Sequence, residues 1–320
     1  MFSFINFLRA IAAVIITNSH YTGIYPTDLI ANGGLLGDVI FFAVSGFCIA
    51  NIKLRFDKWY LKRILRIYPA VWITTAVYLL FGLYRLEEVN AGAIIKCFIY
   101  PTKYHFVASI MVIYIIFYAA IILKRRYKWL SINKIILFTA IVWLLIYIFF
   151  YDKKSYHIDN VREDMIRFLF FEAMLIGARY REMKPPQNRI VDWILMLIFA
   201  AIYFASKLAF VKIPGISSFQ IANQMILLVL LYSIFKCFMG IEKFLNGLAP
   251  WFINFVNYIS KITLEIYVVQ YGILSSIKSL GLTFPINWIV LTASIFALAS
   301  VIHLLVIQID KINDRWLTKI

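Results

Sequence analysis

Apolar runs near the length that crosses a bilayer, roughly 17–22 residues, recur along the whole chain and are separated by short polar segments. Their positions predict about ten membrane-spanning helices, at 3–22, 34–51, 68–84, 105–123, 134–150, 165–180, 190–210, 219–237, 258–277 and 286–308. The third, sixth and ninth are short or polar. No run alternates with the period of a strand, and no repeat of 20–50 residues appears. The expected fold is an all-α polytopic transmembrane helix bundle forming one integral-membrane domain over residues 1–320, with no soluble extracytoplasmic domain. The first run carries its positive charge inside the apolar stretch and has no small-x-small site after Tyr21, so it is not read as a cleavable signal peptide.

Charge fixes the orientation. The segments near 53–66, 124–134, 179–189, 236–261 and 311–319 hold most of the lysine and arginine. Basic loops stay on the cytoplasmic side, so both termini are expected there. Apolar residues make up 63% and charged residues 15%, and the net charge is +16. That charge needs no nucleic-acid partner, because the basic residues lie between spans, where anionic lipid attracts them. Cys48, Cys97 and Cys237 have no metal-ligand spacing, and no two histidines do either, so no metal is expected. Cys48 and Cys237 read as small buried apolar residues.

Two polar residues stand out within the first run. Arg9 and His20 are eleven positions apart, which on an α-helix places His20 about 16 Å along the axis and about 20° round, on the same face. A charged residue inside a membrane helix costs about 2.5–3.5 kcal/mol on insertion scales, and such residues face a bundle interior and carry function by default. The plainer reading is an anchor whose arginine snorkels and whose histidine caps the outer end. Asp38, at a depth like that of His20, is a candidate to orient the imidazole or to cap the second helix. Glu265 and Glu172 are intramembrane acids that would neutralise Arg9, with Glu265 preferred by depth. His105 opens the fourth span on the outside, His157 lies in an outside loop expected to be solvated, and His303 nears the cytoplasmic end of the last span, where it would snorkel.

After the second span comes Lys53-Leu54-Arg55-Phe56-Asp57-Lys58-Trp59-Tyr60-Leu61-Lys62-Arg63-Ile64-Leu65-Arg66-Ile67-Tyr68-Pro69. If helical, Lys62, Arg63 and Arg66 cluster at i,i+3 and i,i+4 spacing. Guanidinium groups bind phosphate through paired N–H donors, and aromatics stack a base. A surface helix held by anionic lipid has the same composition.

These stretches together carry a resemblance. Arg9 and His20, then Gly34-x2-Gly37 with Phe41-Phe42-x2-Ser45-Gly46-Phe47, then Lys62-Arg63-x2-Arg66-Ile67-Tyr68-Pro69, follow in an order and spacing that resemble the acyltransferase-3 family of bacterial membrane acyltransferases. Phe171 to Gly177 and Thr263-Leu264-Glu265-Ile266-Tyr267-Val268-Val269-Gln270 are similar to two later family stretches. The resemblance implies transfer of an acyl group, usually acetyl, from cytoplasmic acetyl-CoA to a hydroxyl of a cell-surface glycan or lipid-linked glycan (O-antigen, capsule or another exopolysaccharide), in the bacterial inner membrane. It implies that Arg9 and His20 are essential and that Lys62, Arg63 and Arg66 take the CoA phosphates, with Ser45 and Tyr68 matching motif positions near the donor. The chain departs from the family at His105-Phe106-Val107-Ala108-Ser109-Ile110-Met111, where many members carry a Glu, and at Gln270, where a His is common. The alternative is a transporter or flippase of a lipid-linked saccharide, since ten spans and an intramembrane arginine suit that equally.

Overall fold

The computed structural model describes residues 2–83, 91–101 and 104–317. Residue 84 of the third expected span and Lys319 of the last basic segment lie outside them. Thirteen α-helices account for most of the described residues, and none of these residues forms a strand. They are α1 (Ser3–Ser19), α2 (Gly34–Ile49), α3 (Phe56–Leu80), α4 (Ala91–Ile94), α5 (His105–Arg126), α6 (Ile132–Phe150), α7 (Ile166–Glu182), α8 (Ile190–Lys212), α9 (Ile221–Gly240), α10 (Glu242–Asn246), α11 (Pro250–Lys261), α12 (Thr263–Lys278) and α13 (Ile286–Leu317).

Among the described residues, five helices are long and apolar enough to cross a membrane: α5, α6, α8, α9 and the Ile286–Asn313 part of α13. Helices α1 and α2 are apolar but shorter. On α8, Ile190, Leu197 and Val211 are 73%, 63% and 57% exposed, whereas only Tyr203 and Phe210 are buried. A helix that presents apolar side chains nearly all round has a lipid environment, not water, as its solvent.

Two expectations change. The basic segment and the third span are one continuous helix of 25 residues, α3, with Pro69 inside it. The expected ninth span is broken: α11 ends at Lys261 and α12 begins at Thr263, with Ile262 between them at φ −95°, ψ 13°. The Thr263 hydroxyl donates to the carbonyls of Ile259 and Ser260 (3.1 and 3.0 Å), satisfying acceptors at the break. The segment before it, read as a loop from its charge, is helical because Val256, Ile259 and Ser260 recur at helix spacing on the buried side.

The chain forms two compact units. The first comprises Met1–Ala12, Leu35–Lys53 and Val112–Asn254. Its tightest contact joins α2 to α7. A Cβ on Gly46 would lie 1.9 Å from the Met174 carbonyl oxygen, and one on Gly177 would lie 1.8 Å from that of Ala43. Two glycines, one per helix, thus let the backbones touch, the usual device where lipid supplies no hydrophobic drive between helices. Phe42 stacks on Phe170 beside this contact, with centroids 4.3 Å apart. The start of α1 is held by the Glu242 carboxylate, which accepts from the Ser3 and Phe4 amides (2.8 and 2.7 Å). Helix α1 has no acid of its own in its first turn, so Glu242 supplies both the cap and the charge its N-terminus favours.

The second unit comprises Ala13–Gly34, Leu54–Met111 and Phe255–Ile320. Here α3, α12 and α13 pack on one another. The Tyr78 ring lies so close to Gly272 that a Cβ there would sit 2.5 Å from it, and the Tyr78 hydroxyl donates to the Val269 carbonyl. The loop after α1 is tied to α13 by three hydrogen bonds: Tyr21 Oη with Thr292 Oγ1 (2.9 Å), Asn287 Nδ2 to the Ile24 carbonyl (3.0 Å), and Trp288 Nε1 to Tyr25 Oη (3.0 Å).

Candidate functional site

Arg9 and Ser45 belong to the first unit; His20, Lys62, Arg63, Arg66 and Tyr68 belong to the second. Arg9 sits near the middle of α1, half-buried. Its guanidinium donates to Cys48 Sγ at 3.5 Å. It makes no ion pair among the described residues. A thiol is a weak acceptor and carries no countercharge, so the positive charge of Arg9 stays uncompensated within its unit. Within that unit this corrects the assignment of Glu172 to Arg9, and in the second unit Glu265 has a partner of its own. Glu172, 1% exposed, receives the Thr139 hydroxyl, and Glu265 faces His303 with Nδ1 and Oε1 2.7 Å apart. Depth along the membrane normal is only one coordinate, and it does not say which helix is the neighbour. His303 is likewise no snorkelling residue, since its side chain is only 16% exposed. Cys48 is exposed, not buried as expected, while Cys237 is buried.

Ser45 shares a 2.9 Å hydrogen bond with Tyr114 of α5. Gly46 beside it is the α2–α7 contact described above, so part of the Ser-Gly-Phe stretch is explained by packing alone. Asp38 is the fifth residue of α2, past the turn that a cap would serve, and it is 7% exposed.

In the second unit His20 follows the last residue of α1. Its amide bonds to the Thr17 carbonyl at 3.1 Å, so the helix tightens in its last turn and departs from the ideal rotation assumed above. The ring is half-buried. Its partner is Tyr271 of α12, with Oη 3.4 Å from Nε2 and the rings edge-on at 4.9 Å. Tyr104 and Tyr267 lie 6.2 and 5.9 Å from the Tyr271 ring. An aromatic wall therefore stands behind the imidazole. His105 opens α5 one residue after Tyr104. His157 is not solvated as expected: its ring stacks on Tyr151 at 4.9 Å and its Nδ1 lies 2.8 Å from the Ser155 carbonyl.

Because α3 is helical through the basic segment, Lys62, Arg63 and Arg66 share one side of it. Lys62 and Arg66 are exposed. Arg63 lies over Trp59 at 5.8 Å, and its Nε is buried without a hydrogen-bond partner. Arg66 pairs with Asp310 of α13 at 3.4 Å, an exposed contact that holds the guanidinium only weakly. The Tyr68 hydroxyl is taken by the Ile99 carbonyl at 2.5 Å, which anchors the helix to the segment after α4.

Sequence reading missed Tyr271, Cys48, Tyr114 and Asp310. Only Tyr271 left a trace, as the residue following the late stretch that ends at Gln270. No group of three or more His, Cys, Asp or Glu among the described residues is arranged to hold a metal ion. A family model described as an acyltransferase domain matches residues 2–307. No curated protein and no solved structure matches the chain.

Proposed function

The chain belongs to the acyltransferase-3 family and is an acyltransferase built of membrane helices, and from that premise we propose that it moves an acetyl group from cytoplasmic acetyl-CoA to a hydroxyl of a cell-surface glycan or its lipid-linked precursor in a bacterial inner membrane. In this reading residues 1–320 form one catalytic domain of ten spans with both termini in the cytoplasm.

The observation that carries the proposal is the state of Arg9. A guanidinium inside an apolar helix, with a thiol for its partner and no carboxylate among the described residues of its unit, is unfavourable unless something else answers its charge. A thioester whose carbonyl gathers negative charge during attack would do so, and donors already in place lower that barrier without reorganising.

His20 is the general base. An alcohol is almost wholly protonated near neutral pH, and an imidazole can take its proton as it attacks the thioester carbonyl. A neutral imidazole has one N–H and one lone pair. When Nε2–H donates to Tyr271 Oη, the lone pair lies on Nδ1, which then accepts the proton of the acceptor hydroxyl. The hydroxyl oxygen bonds to the acyl carbon, the C–S bond breaks, and CoA leaves as its thiol with that proton. A transient acyl-histidine is the second route. Lys62, Arg63 and Arg66 hold the nucleotide phosphates at the cytoplasmic end, with Ser45 and Tyr68 near the donor. The rise of about 16 Å from Arg9 to His20 suits an extended CoA arm, so that the acyl group would cross while the nucleotide stays inside.

The test is His20→Ala in membranes supplied with labelled acetyl-CoA and acceptor glycan. Loss of acceptor labelling at normal protein level is expected. Undiminished transfer removes His20 from the mechanism, and glycan translocation with no use of donor favours a carrier over an enzyme.

A further inference from the structure

Gln270 is the most deeply buried polar residue of α12 and is 1% exposed. Neither its side-chain nitrogen nor its side-chain oxygen has a hydrogen-bond partner among the described residues. That is unusual. A carboxamide offers two donors and an acceptor, and burying one unpaired costs about 1–3 kcal/mol by protein mutational data. Such groups call for an explanation, and a ligand is one. Gln270 is not alone. Thr74 and Thr75 of α3, the helix packed against α12, are 0% exposed, and their hydroxyls also lack partners. Thr17, one turn before His20 on α1, is 6% exposed with its hydroxyl unpartnered. The second unit thus holds several buried polar groups whose hydrogen bonds are unmade.

The place matters as much as the state. Gln270 precedes Tyr271, the residue whose hydroxyl meets the His20 ring, and it lies on the Glu265 side of it along α12. Successive helix residues point about 100° apart, so Gln270 lies round α12 from Tyr271, and a ligand whose reacting carbon is at His20 would meet it some bonds further along. The chemistry that matches a carboxamide is another amide. A trans secondary amide points its N–H and its C=O to opposite sides, and a carboxamide can answer either one, donating to the C=O or accepting from the N–H, whereas a carboxylate only accepts and an ammonium only donates.

We infer that Gln270 recognises a secondary amide of the bound substrate. The inference rests on the acyl-transfer reading, and two sources supply that chemistry. The pantetheine arm of the donor carries an amide two carbons from its sulfur, and an acceptor sugar can carry an N-acetyl group. Gln270 is a specificity-determining residue in this account; it neither moves the proton nor touches the bond that breaks.

The experiment compares wild-type protein with Gln270→Met, which keeps the shape and removes both polar atoms. Two donors are used, acetyl-CoA and the amide-free thioester S-acetyl-mercaptoethanol, and two acceptors, an N-acetylated sugar and its counterpart lacking the N-acetyl group. The expected result is a KM about tenfold or more higher for the amide-bearing partner, with KM for the amide-free partner unchanged. A selective rise for acetyl-CoA assigns the amide to the donor, and a selective rise for the N-acetylated sugar assigns it to the acceptor. Equal changes for amide-bearing and amide-free partners, or no change, overturn the inference. Should Gln270→Met fail to fold, Gln270→Glu, which loses both N–H donors, is read the same way. If the wild type transfers nothing, the acyl-transfer reading fails, and binding of tritiated CoA and of the N-acetylated sugar decides Gln270 separately: weaker binding of either in the variant supports it, and equal binding of both, or none, overturns it.

Discussion

Tyr271 shows what a single hydroxyl does when its neighbour is an imidazole. At 3.4 Å from Nε2 it orients the ring, accepting from Nε2–H in one tautomer or donating to the Nε2 lone pair in the other. Tyr271→Phe keeps the ring against His20 and removes that hydrogen bond. A hydrogen bond of this kind contributes about 0.5–1.5 kcal/mol, so kcat should fall by up to about tenfold with KM for the donor unchanged, as steady-state kinetics would read. A fall in donor affinity instead would make Tyr271 a packing residue. Arg9 and Cys48 offer the complementary case. Because the thiol answers none of the charge, Cys48→Ala should leave transfer within about twofold, whereas Arg9→Met should lower kcat/KM by about 100-fold or more without lowering the amount of folded protein. Equal losses from the two variants would mean that the contact between them, not the free charge, matters. Arg9 and His20 were legible in the sequence because a cation and an imidazole contrast with an apolar run. Tyr271 was not, since one tyrosine among 20 gives no contrast until its neighbour across the fold is known.

At the scale of helices, Gly46 and Gly177 decide how closely α2 and α7 approach. Either one replaced by Ala puts a methyl group within 2 Å of a backbone oxygen, so the helices must part. Overpacking of this kind costs about 1–3 kcal/mol, to be seen as a lower melting temperature in detergent; an unchanged melting temperature would refute the close contact. Both glycines stood in stretches read from the sequence, yet their purpose was undecidable there, because a close approach is a property of two helices. The same limit governed Glu265. Its expected depth suggested Arg9, whereas within its own unit its helix lies against α13 and it faces His303. Removing one partner of a buried hydrogen-bonded pair leaves the other unanswered, which costs about 1–3 kcal/mol. His303→Ala should therefore destabilise the protein far more than a change at Arg66, whose pairing with Asp310 is exposed. The break at Ile262 also escaped the hydropathy pattern, which counts apolar residues and cannot see a hydroxyl taking two carbonyls.

At the scale of the molecule, composition already demanded lipid, and the outward faces of α6 and α8 bear it out with exposed leucine, isoleucine and phenylalanine on helices of 19 and 23 residues. The proposed orientation is a claim about charge: with lysine and arginine gathered between alternate spans of the expected ten, Lys62, Arg63 and Arg66 would lie on the side where the proposed donor is made. In the proposed function that orientation would let the transferase carry an acyl group from one face of the membrane to the other. The decisive measurement uses sealed vesicles holding the protein in one orientation, with labelled acetyl-CoA only on the face that bears Lys62 and Arg66 and acceptor glycan only on the other. The account predicts label on the glycan with wild-type protein and none with His20→Ala. Label that reaches the glycan in the His20 variant, or that appears only when acetyl-CoA is placed on the acceptor's side, contradicts it.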